Sequence, residues 1–424
     1  MTTKKTTPAV AEETLAEVAM EEENSTALEK SIRVKKEVEQ WIVWVKEQVR
    51  VVLVAMRERP SAMVVDLFTT EAIKDAKKLG MIKYVFAAQS VWFLAQTAYY
   101  PYIEKISLEE RVPIPEMVHV GLEIATADDV LVNTWEDLNR WSLESFRSKE
   151  FMGGIIKAPV LAVGPLLSGT GRFDSRIEVM EWLGRQPAES VLFISFGTGG
   201  MLTKRQTIEM AWGLEMSQQR FVWVIRQPLD YDASASLYLE SKAGDEHLMA
   251  RYLLEGFLDR TGEIRKVVPL RAPQAKILAQ GATGGFLSHC GWNSKLESLV
   301  NKVPMIGWPL YAEQDMNATM LPHEIGVAVR PEARPSSEVI GRAKIETMIR
   351  EVMVGDNRVR MRSRAKELKH SVEKALGEGG TSSEALAKFV KKCEVKAGFM
   401  AKNESDAYDR MDVLNNRFAI AASN

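Results

Sequence analysis

The sequence predicts an α/β fold in which parallel sheets are covered by helices, arranged as two domains. Three observations carry this. Short runs rich in Val, Ile, Leu and Phe alternate with stretches of helical period, the pattern of repeated strand–helix units. The runs are apolar at nearly every position rather than at alternate ones, as in Val191–Phe196 and Phe221–Ile225, which is what strands buried on both faces require. The chain has 424 residues, 46% of them hydrophobic, enough for two cores at the usual domain size of roughly 100–200 residues.

In chain order, residues 1–30 are acidic and rich in small residues and read as a disordered tail. From Val34 the apolar positions Val38, Trp41, Val45, Val49, Val52 and Met56 recur every three or four residues, a helical stripe that Pro60 ends. Strands are expected at Ala62–Phe68, Tyr84–Ala88, Val130–Asn133 and Pro159–Gly164, in a first domain over residues 31–165. Gly164-Pro165 and a glycine-rich turn before Arg172 mark a linker over 166–184. A second domain over 185–396 then carries strands at Val191–Phe196, Phe221–Ile225, Lys266–Leu270, Gly284–His289 and Val303–Gly307. Its helices are expected at Lys204–Met216, Asn293–Val300, Glu313–Leu321 and Ala343–Val354. From Asn357 the chain is helical and basic, which reads as a solvated face, and residues 397–424 read as a second tail.

Composition excludes several function classes. A formal net charge of −2 gives no basic footprint, so no nucleic-acid partner is expected. Two cysteines, Cys290 and Cys393, cannot build a disulfide framework and suit a reducing compartment. Residues 1–23 lack the apolar core of a secretory signal, and Trp41–Ala55, broken by Lys46, Glu47 and Arg50, is too short to span a bilayer. The expectation is a cytoplasmic protein with no membrane span. The five histidines are His119, His247, His289, His323 and His370, so none lies in the first 118 residues.

The stretch that carries chemistry is Arg271–Gln314, RAPQAKILAQGATGGFLSHCGWNSKLESLVNKVPMIGWPLYAEQ. A strand ending at His289 runs through Cys290-Gly291-Trp292 into a helix opening at Asn293-Ser294. That arrangement aims free backbone N–H groups and a positive helix end at the turn, where an anion can sit. His289 and the Ser294 hydroxyl add donors there, and Glu297, one turn on, can accept from paired hydroxyls such as those of a ribose. Glu313-Gln314 open another helix at the carboxyl edge of the sheet, where α/β folds bind ligands. A second anion-facing turn comes after Val191–Phe196, at Gly197-Thr198-Gly199-Gly200.

This stretch resembles, without a gap, the 44-residue signature of plant UDP-dependent glycosyltransferases. Ser195–Gly200, Phe221–Ile225, Val132–Thr134 and Val64–Phe68 resemble the same family, and details favour its hydroquinone (arbutin-forming) glucosyltransferase branch. The resemblance covers residues 60–396 and implies a GT-B architecture, two facing Rossmann-like domains with the sugar donor in the second. It further implies that His289, Ser294 and Thr198 contact a diphosphate and that Glu297 holds ribose hydroxyls. Gln274 and the Ala272 backbone would face uracil, and Trp292, Asn293, Glu313 and Gln314 would hold the sugar. The implied partners are UDP-glucose, as co-substrate, and a small phenolic acceptor; no metal and no further cofactor are implied. A monomer is expected, with self-association open to it through the first sheet.

The pattern departs from the family in four places. The family's catalytic base is a histidine on a loop well before the aspartate that orients it; Asp66 matches that aspartate, yet none of the 65 residues preceding it is His. The first part of the N-terminal sheet is therefore expected to be absent, leaving the first domain incomplete. Arg271 stands where the family has a tryptophan that stacks on uracil, a role a planar guanidinium can also fill. Gln280 replaces a usual histidine. Lys295 replaces a small residue and either adds charge beside the phosphate site or points to solvent.

Plainer readings stand beside these. Ser294-x-x-Glu297 is by itself a helix capping box, and single residues such as His289 or Trp292 are structural in most α/β chains. Asp66, without its histidine, is open to a structural role or to that of a catalytic relic. Cys290 has no visible base and reads as a packing residue. The expected function is transfer of glucose from UDP-glucose to a phenolic hydroxyl with inversion, impaired by the missing base. The competing reading is a catalytically inactive nucleotide-sugar-binding protein or a truncated gene product.

Overall fold

The computed structural model describes residues 60–103, 115–167, 177–229, 253 and 255–396. The two expected tails and the Val34–Met56 stripe lie outside these residues. The first sheet is built from β1 (Ala62–Asp66), α1 (Ile73–Lys78), β2 (Ile82–Ala87), α2 (Val91–Ile103), α3 (Pro115–Ile124), β3 (Asp129–Val132), α4 (Arg140–Arg147) and β4 (Val160–Ala162). Its four strands pair in the order β1-β2-β3-β4, each pair parallel.

The second sheet comes next, through α5 (Ile177–Gly184), β5 (Val191–Ser195), α6 (Lys204–Ser217), β6 (Arg220–Ile225), α7 (Phe257–Arg260), β7 (Arg265–Pro269), α8 (Gln274–Leu278) and β8 (Thr283–Ser288). It continues with α9 (Trp292–Val300), β9 (Met305–Gly307), α10 (Gln314–Met320) and β10 (Ala328–Val329). Helices α11 (Arg342–Met353), α12 (Asn357–Leu376) and α13 (Thr381–Lys396) close the described chain. The strand order is β10-β9-β8-β5-β6-β7, again parallel throughout. The chain steps outward from β5 to β7, then returns to the other side of β5 as β8. That reversal opens a crevice between the carboxyl ends of β5 and β8, the place where open α/β sheets bind ligands.

Every strand expected from the apolar runs is present, with ends that differ by one or two residues: β2, β3, β6, β7 and β8 begin earlier than expected, and β1, β4, β5 and β9 are shorter. Strands β5 and β8 are buried along their whole length, and Phe193 stacks on Phe286 across them at 5.1 Å between centroids. β10 has two residues, too few for a pattern to reveal. The basic helix α12 is only partly a solvated face. Met361, Ala365, Leu368 and Val372 are buried, and Arg362 turns inward to Glu189 at 2.5 Å and to the Gly284 carbonyl at 3.1 Å.

The last helix returns to the first sheet. Phe389 of α13 meets the Tyr84 ring edge-on at 4.7 Å, Ser382 Oγ donates to the Gly164 carbonyl at 2.7 Å, and Lys392 pairs with Asp129. Two indole N–H groups join segments of the first domain to helices of the second. Trp292 Nε1 donates to the Asn133 carbonyl at 2.7 Å and Trp135 Nε1 to Ser371 Oγ at 2.8 Å. Among the described residues no helix is long and apolar enough to cross a membrane.

Because the Phe389 ring is buried against β2 in an apolar cluster, Phe389→Ala is expected to cost about 3 kcal/mol. Chemical denaturation followed by tryptophan fluorescence measures this; an unchanged midpoint would show that α13 is not anchored there.

Candidate functional site

The turns after β5 and β8 line the crevice. In register, Ser195 faces Ser288, so the turns beginning at Gly197 and His289 stand level. Gly197 has φ +74°, and Cys290 is also left-handed at φ +64°. His289 is packed between two glycines. A Cβ at Gly197 would lie 2.6 Å from His289 Cε1, and one at Gly291 2.5 Å from Nε2, so the ring's place requires both glycines. Burial, and then the charge of Arg226, push the His289 imidazole down to about 4. It is neutral at pH 7 and offers a hydrogen bond rather than a charge.

Helix α9 begins at Trp292, with Gly291 as N-cap and no side-chain cap. The expected capping box is therefore not formed: the helix starts two residues before Ser294, and Lys295 N already bonds to the Gly291 carbonyl at 3.0 Å. The N–H groups of Trp292, Asn293 and Ser294 precede that first bond and point out of the helix end. Ser294 is instead tied to its neighbours. Gln274 Nε2, from α8, donates to Ser294 Oγ at 2.9 Å and to Glu297 Oε2 at 2.7 Å. Burial raises the Glu297 carboxyl above its ordinary range, against the Gln274 bond that lowers it.

On the other side, Glu313 stands at the N-cap position of α10 without a side-chain cap bond, and its carboxyl is also raised by burial. Gln314 Oε1 accepts from Leu310 N at 2.9 Å and Tyr311 N at 3.2 Å, fixing the loop it leaves. Asn317 Nδ2 donates to the Cys290 carbonyl at 3.0 Å and joins α10 to the histidine turn. Asn293 and Arg271 are exposed at the lip, while Ala272 is half-buried and Thr198 lies on the exposed side of its turn. The buried Trp292 side chain spends its N–H on Asn133, which leaves its backbone N–H for any ligand.

Lys295 follows neither expected course. It is fully buried, its Nζ 4.3 Å from the Trp292 ring centroid and 2.9 Å from Met320 Sδ. Burial pulls the amine down to about 7, opposed by the nearby Cys290 and Glu324. Cys290 is buried within the core and its thiol is pushed up to about 12, in keeping with a packing role.

Asp66 ends β1 in an exposed turn. Its Oδ1 accepts from Phe68 N at 2.8 Å, Thr69 N at 2.8 Å and Thr69 Oγ1 at 2.9 Å. Two residues at the crevice are not singled out by the sequence patterns. Arg226, immediately after β6, donates to the carbonyls of Thr198 and Leu270. Tyr311 places its hydroxyl 2.7 Å from where a Cβ on Gly199 would be. The sequence signal for Arg226 is no more than a charge directly after an apolar strand; Tyr311 lies inside the signature. No group of His, Cys, Asp and Glu that could hold a metal occurs among the described residues.

Comparison with known proteins identifies the family. The profile of the family described as UDP-glucoronosyl and UDP-glucosyl transferase matches residues 174–367. An anthocyanidin 3-O-glucosyltransferase of Manihot esculenta is 44% identical over 362 residues, 78% of this chain and 74% of the relative. The chain belongs to the UDP-glycosyltransferase family. A hydroquinone glucosyltransferase of Rauvolfia serpentina is 38% identical over 79% of this UDP-glycosyltransferase and 76% of its own length. A solved transferase of Siraitia grosvenorii in complex with UDP superposes with a TM-score of 0.73 at 32% identity, covering 84% of this chain and 87% of that one. The two parallel sheets are thus those of a GT-B glycosyltransferase.

The buried Lys295 generates a pH-dependent prediction. Its amine titrates near 7 when folded and near 10.4 when unfolded. Between these values the unfolded chain holds the extra proton, so stability rises with pH across that window. Lys295→Met removes the penalty. It is expected to raise Tm most at or below pH 7, with the gain shrinking toward pH 10; a lower Tm at pH 7 would contradict the burial of an unpaired amine.

Proposed function

We propose that this UDP-glycosyltransferase transfers glucose from UDP-glucose to the hydroxyl of a small phenolic acceptor, with inversion at the anomeric carbon. The observation that carries the reading is that Gln274 joins Ser294 and Glu297 on the helix that opens directly after the His289 turn, at the crevice where strand order reverses. In this reading the diphosphate lies on the first-turn N–H groups of α9, with His289, Ser294 and Thr198 around it. Glu297 accepts from the ribose hydroxyls, which return to a carboxyl raised by burial the donors it lost with water. Gln274 and the Ala272 backbone face uracil, with the Arg271 guanidinium available to stack on it. Asn293, Glu313, Gln314 and the Trp292 backbone N–H surround the sugar. The names of the glucosyltransferase relatives support glucose as the sugar, and the hydroquinone enzyme supports a phenol as acceptor.

The acceptor oxygen attacks C1, the bond from C1 to the β-phosphate oxygen breaks, and UDP leaves with that electron pair. The acceptor proton must go to a base. Asp66 has its Oδ1 engaged in the turn, and no imidazole is among its hydrogen-bond partners within the described residues. General-base assistance is worth about 10²–10⁴-fold, so turnover is expected to be slow and to favour acidic phenols, which ionise without help. The same observation favours a second reading, a protein that binds the nucleotide sugar and does not turn it over.

Titration calorimetry with UDP tests the donor site: saturable binding is expected, weakened about tenfold or more in His289→Ala, and absence of binding would refute the assignment. A turnover assay with UDP-glucose and hydroxyl acceptors of graded acidity tests the chemistry. The rate is expected to rise with phenol acidity and to vanish for aliphatic alcohols; equal rates would contradict attack without base assistance, and no turnover with intact binding would favour the second reading.

A further inference from the structure

Arg226 is held unlike two other well-anchored arginines of the second domain. Arg342 pairs with Glu209 and Arg362 with Glu189. Arg226 instead donates through Nε to the Leu270 carbonyl at 3.3 Å and through Nη1 to the Thr198 carbonyl. Among the described residues no carboxylate pairs with it. Burial, and then the neighbouring charge of Arg271, hold its guanidinium below the ordinary arginine range. Two of the five guanidinium N–H groups are used, which leaves Nη2 without an acceptor among the described residues.

A partly buried cation beside a like charge is costly unless an anion offsets it. The other candidates cannot supply the charge at this edge. His289 is neutral, and Lys295 is turned into the core against Trp292 and Met320. Arg226 lies against the Gly197–Gly200 turn, through Thr198, and acts electrostatically on both His289 and Tyr311. Its position therefore coincides with the anion-facing side of the crevice.

We propose that Arg226 is a further donor-binding residue, whose guanidinium meets the diphosphate across the Gly197–Gly200 turn and makes the site rank uridine ligands by phosphate charge. This rests on the donor-site reading above. Charge-assisted hydrogen bonds of this kind are the strong ones in nucleotide recognition, and the carbonyl bonds hold the fork in place before the ligand arrives.

The test is calorimetry on the full chain with uridine, UMP and UDP at low and high salt, with thermal melts confirming that each variant is folded. Wild type is expected to bind UDP over UMP over uridine. Arg226→Gln is expected to lose about 10- to 100-fold in UDP affinity while uridine binding changes little, and to flatten the salt dependence. Arg226→Lys, which keeps the charge, is expected to fall between and carries the comparison if the glutamine variant unfolds. Equal weakening of uridine and UDP would mean that Arg226 only braces the loops, and unchanged UDP affinity would remove it from the site; either overturns the proposal alone. Wild-type protein that binds none of the three ligands overturns the donor-site reading and the proposal together.

Discussion

Strands β5 and β8 lie side by side and parallel, while the chain leaves them in opposite directions across the sheet. That arrangement permits one crevice at the carboxyl edge, and the polar groups of the second domain gather there. The level register of Ser195 and Ser288 brings the Gly197 turn against the histidine turn. Only residues without side chains fit at Gly197 and Gly291, because the His289 ring fills the space a Cβ would need. With the ring fixed, α9 begins at Trp292 with its first N–H groups free, Gln274 can reach both Ser294 and Glu297, and Asn317 can tie α10 to the same turn.

Burial governs the electrostatics. It lowers His289 and Lys295 and raises Glu297 and Glu313, so each group is moved toward its neutral form. In the proposed reading, a ligand rich in hydroxyls and phosphate would restore what burial removed, giving the carboxylates donors and Arg226 an anion. The same helix that presents these groups also anchors the first sheet. Trp292 sends its indole N–H to Asn133, and Lys295 packs over its ring. Donor-side geometry and the joint between the sheets therefore share one turn of α9, so disturbing the indole should alter both.

Much of this was legible in the sequence, for identifiable reasons. Strands buried on both faces, such as β3 and β5, show as unbroken apolar runs, and the less buried β1, β2 and β7 still hold Val or Ile clusters that mark them, whereas the two residues of β10 carry no period. The gathering of His289, Ser294, Glu297 and Gln274 was legible because a long contiguous signature holds them. The details that the sequence does not reveal depend on contacts distant along the chain. Ser294-x-x-Glu297 has the composition of a cap, yet Gly291 takes that position because the histidine turn demands a glycine there. Lys295 reads as solvent-facing or phosphate-facing because lysine is almost never buried; its burial comes from Met320 and Trp292 closing over it. Trp292's direction depends on Asn133, and Arg226's role on carbonyls at Thr198 and Leu270, pairings no local pattern encodes.

A crystal structure of the protein with UDP would show whether the crevice between β5 and β8 holds the nucleotide of the donor. The diphosphate is expected within hydrogen-bond distance of His289 and the first-turn N–H groups of α9, with the ribose at Glu297 and the uracil beside Ala272 and Gln274. UDP bound away from the carboxyl edge of β5 and β8, or in the reverse orientation with its base at Glu313, would contradict this placement.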